Sequence, residues 1–241
     1  MSVVTVARPE VPPRATVSLA GLGATLLAAS LLLPLLVYGW TGGFSRYAAD
    51  DYCWAGILNL QGVVQAQVHY YTGYSPRYTF TLLVTLAELV GPGIVPWLPA
   101  AAICGWLAAL IWTLRQLLPS AGVPTPAVLA LLIAFATFQT TPDRAQSLYW
   151  QTGMLTYVLP LVLATLYVGW VAASTRSGAG WRVAVSAVLT FAAGGLSETY
   201  LIPQNVALTL AAVLCLVACR NPVGRAALPY VLAGLLGGVV A

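Results

Sequence analysis

Few side chains in this sequence could do chemistry, and most of them fall in three polar stretches. Asp50 and Asp51 stand side by side, two of only six acids in 241 residues, among Tyr47, Tyr52 and Trp54. A carboxylate in such a setting can act as a general base or hold a divalent cation. It can equally be a solvated loop acid or cap a helix starting near 52. The only histidine, His69, precedes Tyr70 and Tyr71; it reads as a base or as a hydrogen-bonded interfacial ring. Arg77, in Ser75-Pro76-Arg77-Tyr78, opens a short apolar segment. There a guanidinium can take a phosphate beside a helix start, or snorkel to the interface. Glu88 is embedded in apolar sequence. A carboxylate at mid-bilayer costs about 3 kcal/mol on insertion scales, so Glu88 is expected to lie shallow or to pair internally.

The second stretch, 139–153, carries Asp143, Arg144, Tyr149, Trp150 and Gln151, with Tyr157 one turn beyond. Aromatic faces beside amides and hydroxyls suit a sugar or a polar lipid headgroup; Tyr149 and Trp150 also fit an interfacial belt. The third runs from Gly194 to Tyr200 and then Pro203-Gln204-Asn205. Its Glu198 is either part of a helix-start cap with Ser197 and Thr199 or a member of a polar site.

These residues need a scaffold, and composition says which kind. Hydrophobic residues make up 60% of the chain and charged residues 7%, with a mean hydropathy of +0.87. A soluble domain carries about 25% charge. Soluble enzymes, collagen, disordered chains and disulfide scaffolds are excluded, which leaves an all-α, polytopic transmembrane bundle. The net charge of +4 is small and dispersed, and all ten basic residues are arginine. Neither fits a nucleic-acid partner. Cys104, Cys215 and Cys219 fall in apolar runs, and only Cys53 lies in a polar loop. The pattern fits packing residues and no disulfide framework.

A span needs about 20 mainly apolar residues. The candidates are Thr16–Trp40, Trp97–Leu114, Pro126–Phe138, Met154–Ser174, Val183–Leu196, Tyr200–Ala218 and Ala226–Ala241. The first lacks a small-residue cleavage site and reads as an uncleaved anchor. The last is still apolar at residue 241, so the chain is expected to be an N-terminal piece of a longer protein. Arg77–Val90 decides the parity. If it does not cross, Arg8, Arg14, Arg115, Arg176, Arg182, Arg220 and Arg225 share the cytoplasmic side. Asp50, Asp51, Asp143 and Glu198 then share the external side, in accord with the positive-inside rule. The expectation is therefore one domain, 1–241, with about seven spans. A cytoplasmic tail covers 1–15, and a first external loop covers 41–96, with Arg77–Val90 as a re-entrant or surface helix. In that loop Ile57, Leu60, Val64, Val68 and Tyr71 recur at helical spacing, which predicts an amphipathic helix in the interface. Trp40, Trp97 and Trp150 mark one membrane edge, and Trp112, Trp170 and Trp181 the other.

An anchor span followed by a long loop opening on Asp-Asp-Tyr resembles the GT-C superfamily of integral-membrane glycosyltransferases, and more narrowly a bacterial polytopic family of that layout. The matching stretches are Ala49-Asp50-Asp51-Tyr52, Pro76-Arg77-Tyr78, Tyr149-Trp150-Gln151-Thr152-Gly153 with Tyr157 and Pro160, and Ser197-Glu198. The resemblance implies transfer of a sugar from a polyprenyl-phosphate donor to a cell-envelope acceptor at the bacterial inner membrane. It implies Asp50 or Asp51 as base or ligand of a divalent cation. It implies Arg77, with Arg144 or Arg46, against the lipid phosphate. Tyr52, His69, Tyr78, Trp150, Gln151, Tyr157 and Glu198 would contact substrate. Competing expectations are a transporter or flippase, which needs ionisable residues in the middle of the bundle, and a non-catalytic membrane assembly subunit.

Overall fold

A computed structural model describes residues 19–178, 180–218 and 221–241. The tail 1–15, with Arg8 and Arg14, lies outside the described residues, as do Cys219 and Arg220. The described residues form helices and no strand. In chain order these are α1 (Leu19–Gly42), α2 (Asp51–Gly73), α3 (Tyr78–Val90), α4 (Leu98–Leu117), α5 (Pro124–Thr140), α6 (Gln151–Ser177), α7 (Trp181–Gly194), α8 (Glu198–Val217) and α9 (Pro222–Val240). A 3-10 turn over Pro92–Trp97 leads into α4, and a π-helical turn over Ala145–Tyr149 leads into α6. Local sequence sets several of these boundaries. Gly178 ends α6 in the left-handed conformation, with φ +63°. Asn221 caps α9 by accepting the Val223 amide at 3.0 Å, with Pro222 in the first turn.

Five stretches are long and apolar enough to cross a membrane: Gly21–Gly42, Pro92–Leu117, Gln151–Ser177, Glu198–Val217 and Pro222–Val240. The chain is thus a multi-pass membrane protein. The expected spans at Pro126–Phe138 and Val183–Leu196 correspond to α5 and α7, which are shorter, at 17 and 14 residues. At 1.5 Å per residue they reach about 25 and 21 Å, against a hydrocarbon core of about 30 Å.

Side-chain contacts sort the helix ends into two sets. The Cβ of Ala100 lies 3.7 Å from the ideal Cβ position of Gly39, so α4 begins where α1 finishes. Tyr38, near the end of α1, donates to Gln139, near the end of α5. Thr152, at the start of α6, donates to Asp51. Ser75 donates to Glu198 at the start of α8. All these ends lie together. At the opposite end Arg176 of α6 reaches Gln116 of α4, and the rings of Trp170 and Trp181 pack 5.4 Å apart. The polypeptide between α1 and α4 therefore leaves and returns at one end, as the arginine distribution predicts. That end holds Asp50, Asp51, Glu88, Asp143 and Glu198, and we call it the acidic end. Arg115, Arg176, Arg182 and Arg225 lie at the other, with no acid among the described residues.

The predicted amphipathic helix is not one rod. At Gly62 the backbone takes φ +73° and ψ 172°, and α2 folds there. Tyr70 Oη donates to the Trp54 carbonyl at 2.9 Å, and the two rings lie 4.2 Å apart. Sixteen residues of continuous helix would separate them by about 24 Å, so the halves of α2 form a helical hairpin. Its inner face is Trp54, Leu58, Ala66 and Tyr70. Of the predicted stripe, Leu60, Val64, Val68 and Tyr71 face outward, whereas Ile57, on the other side of the fold at Gly62, is half-buried against the core. The hairpin packs on α3, where Gln67 donates to the Thr81 carbonyl and to Thr85 Oγ1. The α7–α9 packing relies on missing side chains: a Cβ on Gly237 would sit 2.1 Å from the Ala187 carbonyl, the close approach that small residues give membrane helices.

Candidate functional site at the acidic end

The left-handed turn at Ala49 (φ +45°) precedes the acidic pair, and the two acids have opposite fates. Asp51 is fully buried. Its Oδ2 accepts the Ala48 amide at 3.0 Å and its Oδ1 accepts Thr152 Oγ1 at 2.8 Å. Burial pushes the Asp51 carboxyl above its usual range, and the donors from Ala48, Thr152 and Trp150 offset this only in part. Asp50 is half-buried and makes no side-chain cap to α2. It lines a cavity of about 270 Å³ between the two halves of the α2 hairpin, together with Cys53, Trp54, His69, Tyr70 and Tyr74. The Trp54 indole Nε1 is buried and has no hydrogen-bond partner among the described residues.

Gly153 lets α6 begin where it does. A Cβ there would lie 1.8 Å from the Gln146 carbonyl oxygen, so only glycine allows the π-helical turn to cross the start of α6. That crossing sets three consecutive residues on the first loop. Trp150 Nε1 donates to the Ala48 carbonyl at 3.0 Å, Gln151 Nε2 donates to Glu88 Oε1 at 2.7 Å, and Thr152 donates to Asp51. Tyr47 Oη donates to the second Glu88 oxygen. Burial first, and then the Glu88 carboxylate, push the Tyr47 phenol well above its usual range. Glu88 thus pairs internally, one of the two arrangements expected for it. Both buried carboxylates dock on one helix start, where the N-terminal dipole favours negative charge.

The remaining candidates form separate groups. Arg77 Nε lies 3.0 Å from Glu198 Oε2 and donates to Ser75 Oγ at 3.0 Å, while its guanidinium sits over Phe80. Tyr78 donates to the Phe191 carbonyl at 2.6 Å, tying α3 to α7. Arg144 donates to Tyr38 Oη at 2.7 Å and to Gln139, apart from Arg77. Arg46 is exposed and donates to the Gly43 and Ser45 carbonyls. Tyr52 is exposed and packs edge-on against Tyr47. Tyr157 is half-exposed and lines another cavity, of about 300 Å³, with Asp143 and Gln146. Gln151 is buried on Glu88 and the half-buried Trp150 bonds to Ala48, so these two and Tyr157 do not share one pocket. Ser197 precedes α8 without capping it, its hydroxyl bonded to Thr199 Oγ1. Three participants escaped sequence reasoning: Tyr47, Trp54 and Thr152. Tyr47 and Trp54 left a signal as aromatics beside the acidic pair, and Thr152 stood in the stretch Tyr149–Gly153, but none pointed to these contacts.

Among the described residues no three His, Cys, Asp or Glu side chains converge as a metal-binding group. Comparison with family models, curated proteins and solved structures finds no match to this chain.

Proposed function

We propose that this chain is a membrane glycosyltransferase-like protein of the GT-C type, acting at its acidic end on a polyprenyl-phosphate-linked sugar and a cell-envelope acceptor. In this reading the bundle makes seven passes through the bacterial inner membrane. The N-terminus is cytoplasmic and the acidic end external. The observation that carries it is the hairpin cavity, where a carboxylate and an imidazole that a ligand can reach stand beside the faces of Trp54 and Tyr74. Aromatic faces with a few polar groups suit a sugar, and Asp50 suits general-base work. Asp50 takes the acceptor hydroxyl proton as that oxygen bonds to the anomeric carbon. The bond from that carbon to the lipid phosphate breaks, and the phosphate leaves with the electron pair. Arg77, at the neighbouring start of α3, supplies positive charge for it. Asp51 serves as a positioning residue that holds Asp50 at the cavity.

The test is sugar transfer by the protein reconstituted in bilayers with polyprenyl-phosphate-linked sugars. Asp50→Asn is expected to lower transfer by about 10²- to 10⁴-fold while insertion and thermal stability stay as in the parent. Unchanged transfer removes Asp50 from the mechanism. Cys53, exposed and on the cavity wall, reports orientation: a membrane-impermeant maleimide should label it in intact cells. Labelling only after lysis would put the acidic end inside. A second reading, a non-catalytic membrane subunit, is favoured by Asp51 and Glu88, whose buried oxygens are engaged as structural pins. It predicts no transfer by the parent protein and no cellular phenotype for Asp50→Asn. A transporter finds less support, since the described charges lie at the two ends of the bundle.

A further inference from the structure

A further cavity lies at the opposite, basic end. It has a volume of about 770 Å³ and is walled by α6 and α8 above the start of α9, with Gln116, Thr175 and Arg176 at its mouth. A second cavity of about 210 Å³ continues from it toward the acidic end, reaching Tyr200 and Gln204. Tyr167, Val168, Leu208 and Ala211 line both, so the two form one groove. From Arg176 to Leu163 along α6 it runs about 20 Å at 1.5 Å per residue, two thirds of a hydrocarbon core of about 30 Å. Helix α6 packs on α4, α7 and α9, and α8 packs on α9 and α7, which leaves α6 and α8 as facing walls. The surface around the groove is apolar, with Val168, Leu210, Leu214 and Val223 exposed. Such a groove facing lipid takes a hydrocarbon chain.

Charge identifies the occupant. Arg115, Arg176 and Arg182 lie at this end, and the described acids lie at the other. At the mouth Arg176 uses its two terminal nitrogens to hold Gln116. A guanidinium carries five N–H donors, so donors remain for an anion. Arg182 is committed elsewhere, over the rings of Trp170 and Trp181. Basic pockets between membrane helices on the positively charged side take anionic lipid headgroups.

We propose that this groove is a binding site for one anionic phospholipid, its headgroup phosphate on Arg176 and one acyl chain laid between α6 and α8. The site is at the far end from the hairpin cavity and does not depend on any catalytic reading.

The experiment is native mass spectrometry of the whole chain released from detergent. It is titrated with phosphatidylglycerol, with phosphatidylcholine of the same acyl chains, and with glycerol phosphate alone. Retention of one phosphatidylglycerol, about tenfold tighter than phosphatidylcholine, is expected, with no retention of glycerol phosphate. Arg176→Gln should weaken phosphatidylglycerol about five- to tenfold, toward the phosphatidylcholine level, at roughly 1 kcal/mol per arginine. Arg176→Lys should restore most of it. Ala211→Trp, which fills the junction of the two cavities, should remove lipid retention. If that variant does not accumulate, Ala211→Leu takes its place. Equal retention of both lipids, or an Arg176→Gln variant that binds as the parent does, overturns the headgroup assignment. Full retention by the Ala211 variant overturns the path of the chain. Binding of glycerol phosphate alone would make the site one for free phosphate and overturn the lipid.

Discussion

Replacing Asp51 tests whether the first loop is pinned to α6 through a buried carboxylate. Asp51→Ala leaves the Ala48 amide and the Thr152 hydroxyl without their acceptors. Stranding the buried Thr152 hydroxyl costs about 1–3 kcal/mol, and stranding the amide of the exposed Ala48 costs less. Against this, the substitution relieves a carboxylate whose ionised form burial already disfavours. A net loss of about 1–3 kcal/mol follows, or about 3–10 °C in Tm for a chain of this size. Asp51→Asn should cost about 1 kcal/mol, because its carbonyl oxygen can accept the Ala48 amide while the Thr152 hydroxyl turns to accept from the new NH₂. Thr152→Val removes the same contact from the other side, so the double variant should lose less than the sum of the two. The pH dependence carries a sign. The folded carboxyl is raised above its unfolded value of about 3.9, so the folded state binds more protons in the window between the two values. Within that window the contribution of Asp51 to stability grows as pH falls, and it is constant below it. Asp51→Asn should lack that slope. The assay is thermal unfolding in detergent, followed by size-exclusion fluorescence over a pH series. An Asp51→Ala variant melting within about 2 °C of the parent, or a strictly additive double variant, would refute the pin.

Two further substitutions probe the backbone that frames the site. Gly62 occupies a region of conformation that is essentially glycine-only, and Gly62→Ala should cost about 1–3 kcal/mol. It should also loosen the Trp54–Tyr70 contact, read as a change in tryptophan emission; an unchanged melting curve and spectrum would dismiss the hairpin. Gly153→Ala drives a methyl into the Gln146 carbonyl and should cost at least about 1–3 kcal/mol, read as loss of monodisperse protein. Normal accumulation and melting would show that the start of α6 can shift freely.

Much of the architecture was legible in the chain itself. Sparse charge and long apolar runs dictate a membrane bundle, since apolar surface on that scale has no other stable solvent. The asymmetry of the arginines placed the helix ends in two sets, and the contacts between α1 and α4 agree. Periodicity read Ile57, Leu60, Val64, Val68 and Tyr71 as one face but could not see the fold at Gly62, which turns Ile57 inward, because a glycine within a helical pattern gives no sign of whether the chain bends there. Hydropathy marks α5 and α7 as apolar runs without showing where each helix stops; at 17 and 14 residues they are shorter than the five long apolar helices.

The candidate site divided in the same way. That Asp50, Asp51, Trp150, Gln151 and Glu198 share one end is expected from sequence only once the arginine asymmetry keeps Arg77–Val90 from crossing, because loops between membrane helices alternate sides. Which of the adjacent acids faces inward does not. That depends on the turn at Ala49 and on Gly153, whose missing side chain lets Trp150, Gln151 and Thr152 meet the first loop. The separation of Arg77 on Glu198 from Arg144 on Tyr38 is likewise tertiary. Composition fixes the solvent a chain must live in, because transfer free energy sums over residues irrespective of their contacts; the pairing of individual polar groups depends on distances of a few ångströms between helices far apart in sequence, and only the packed bundle sets those.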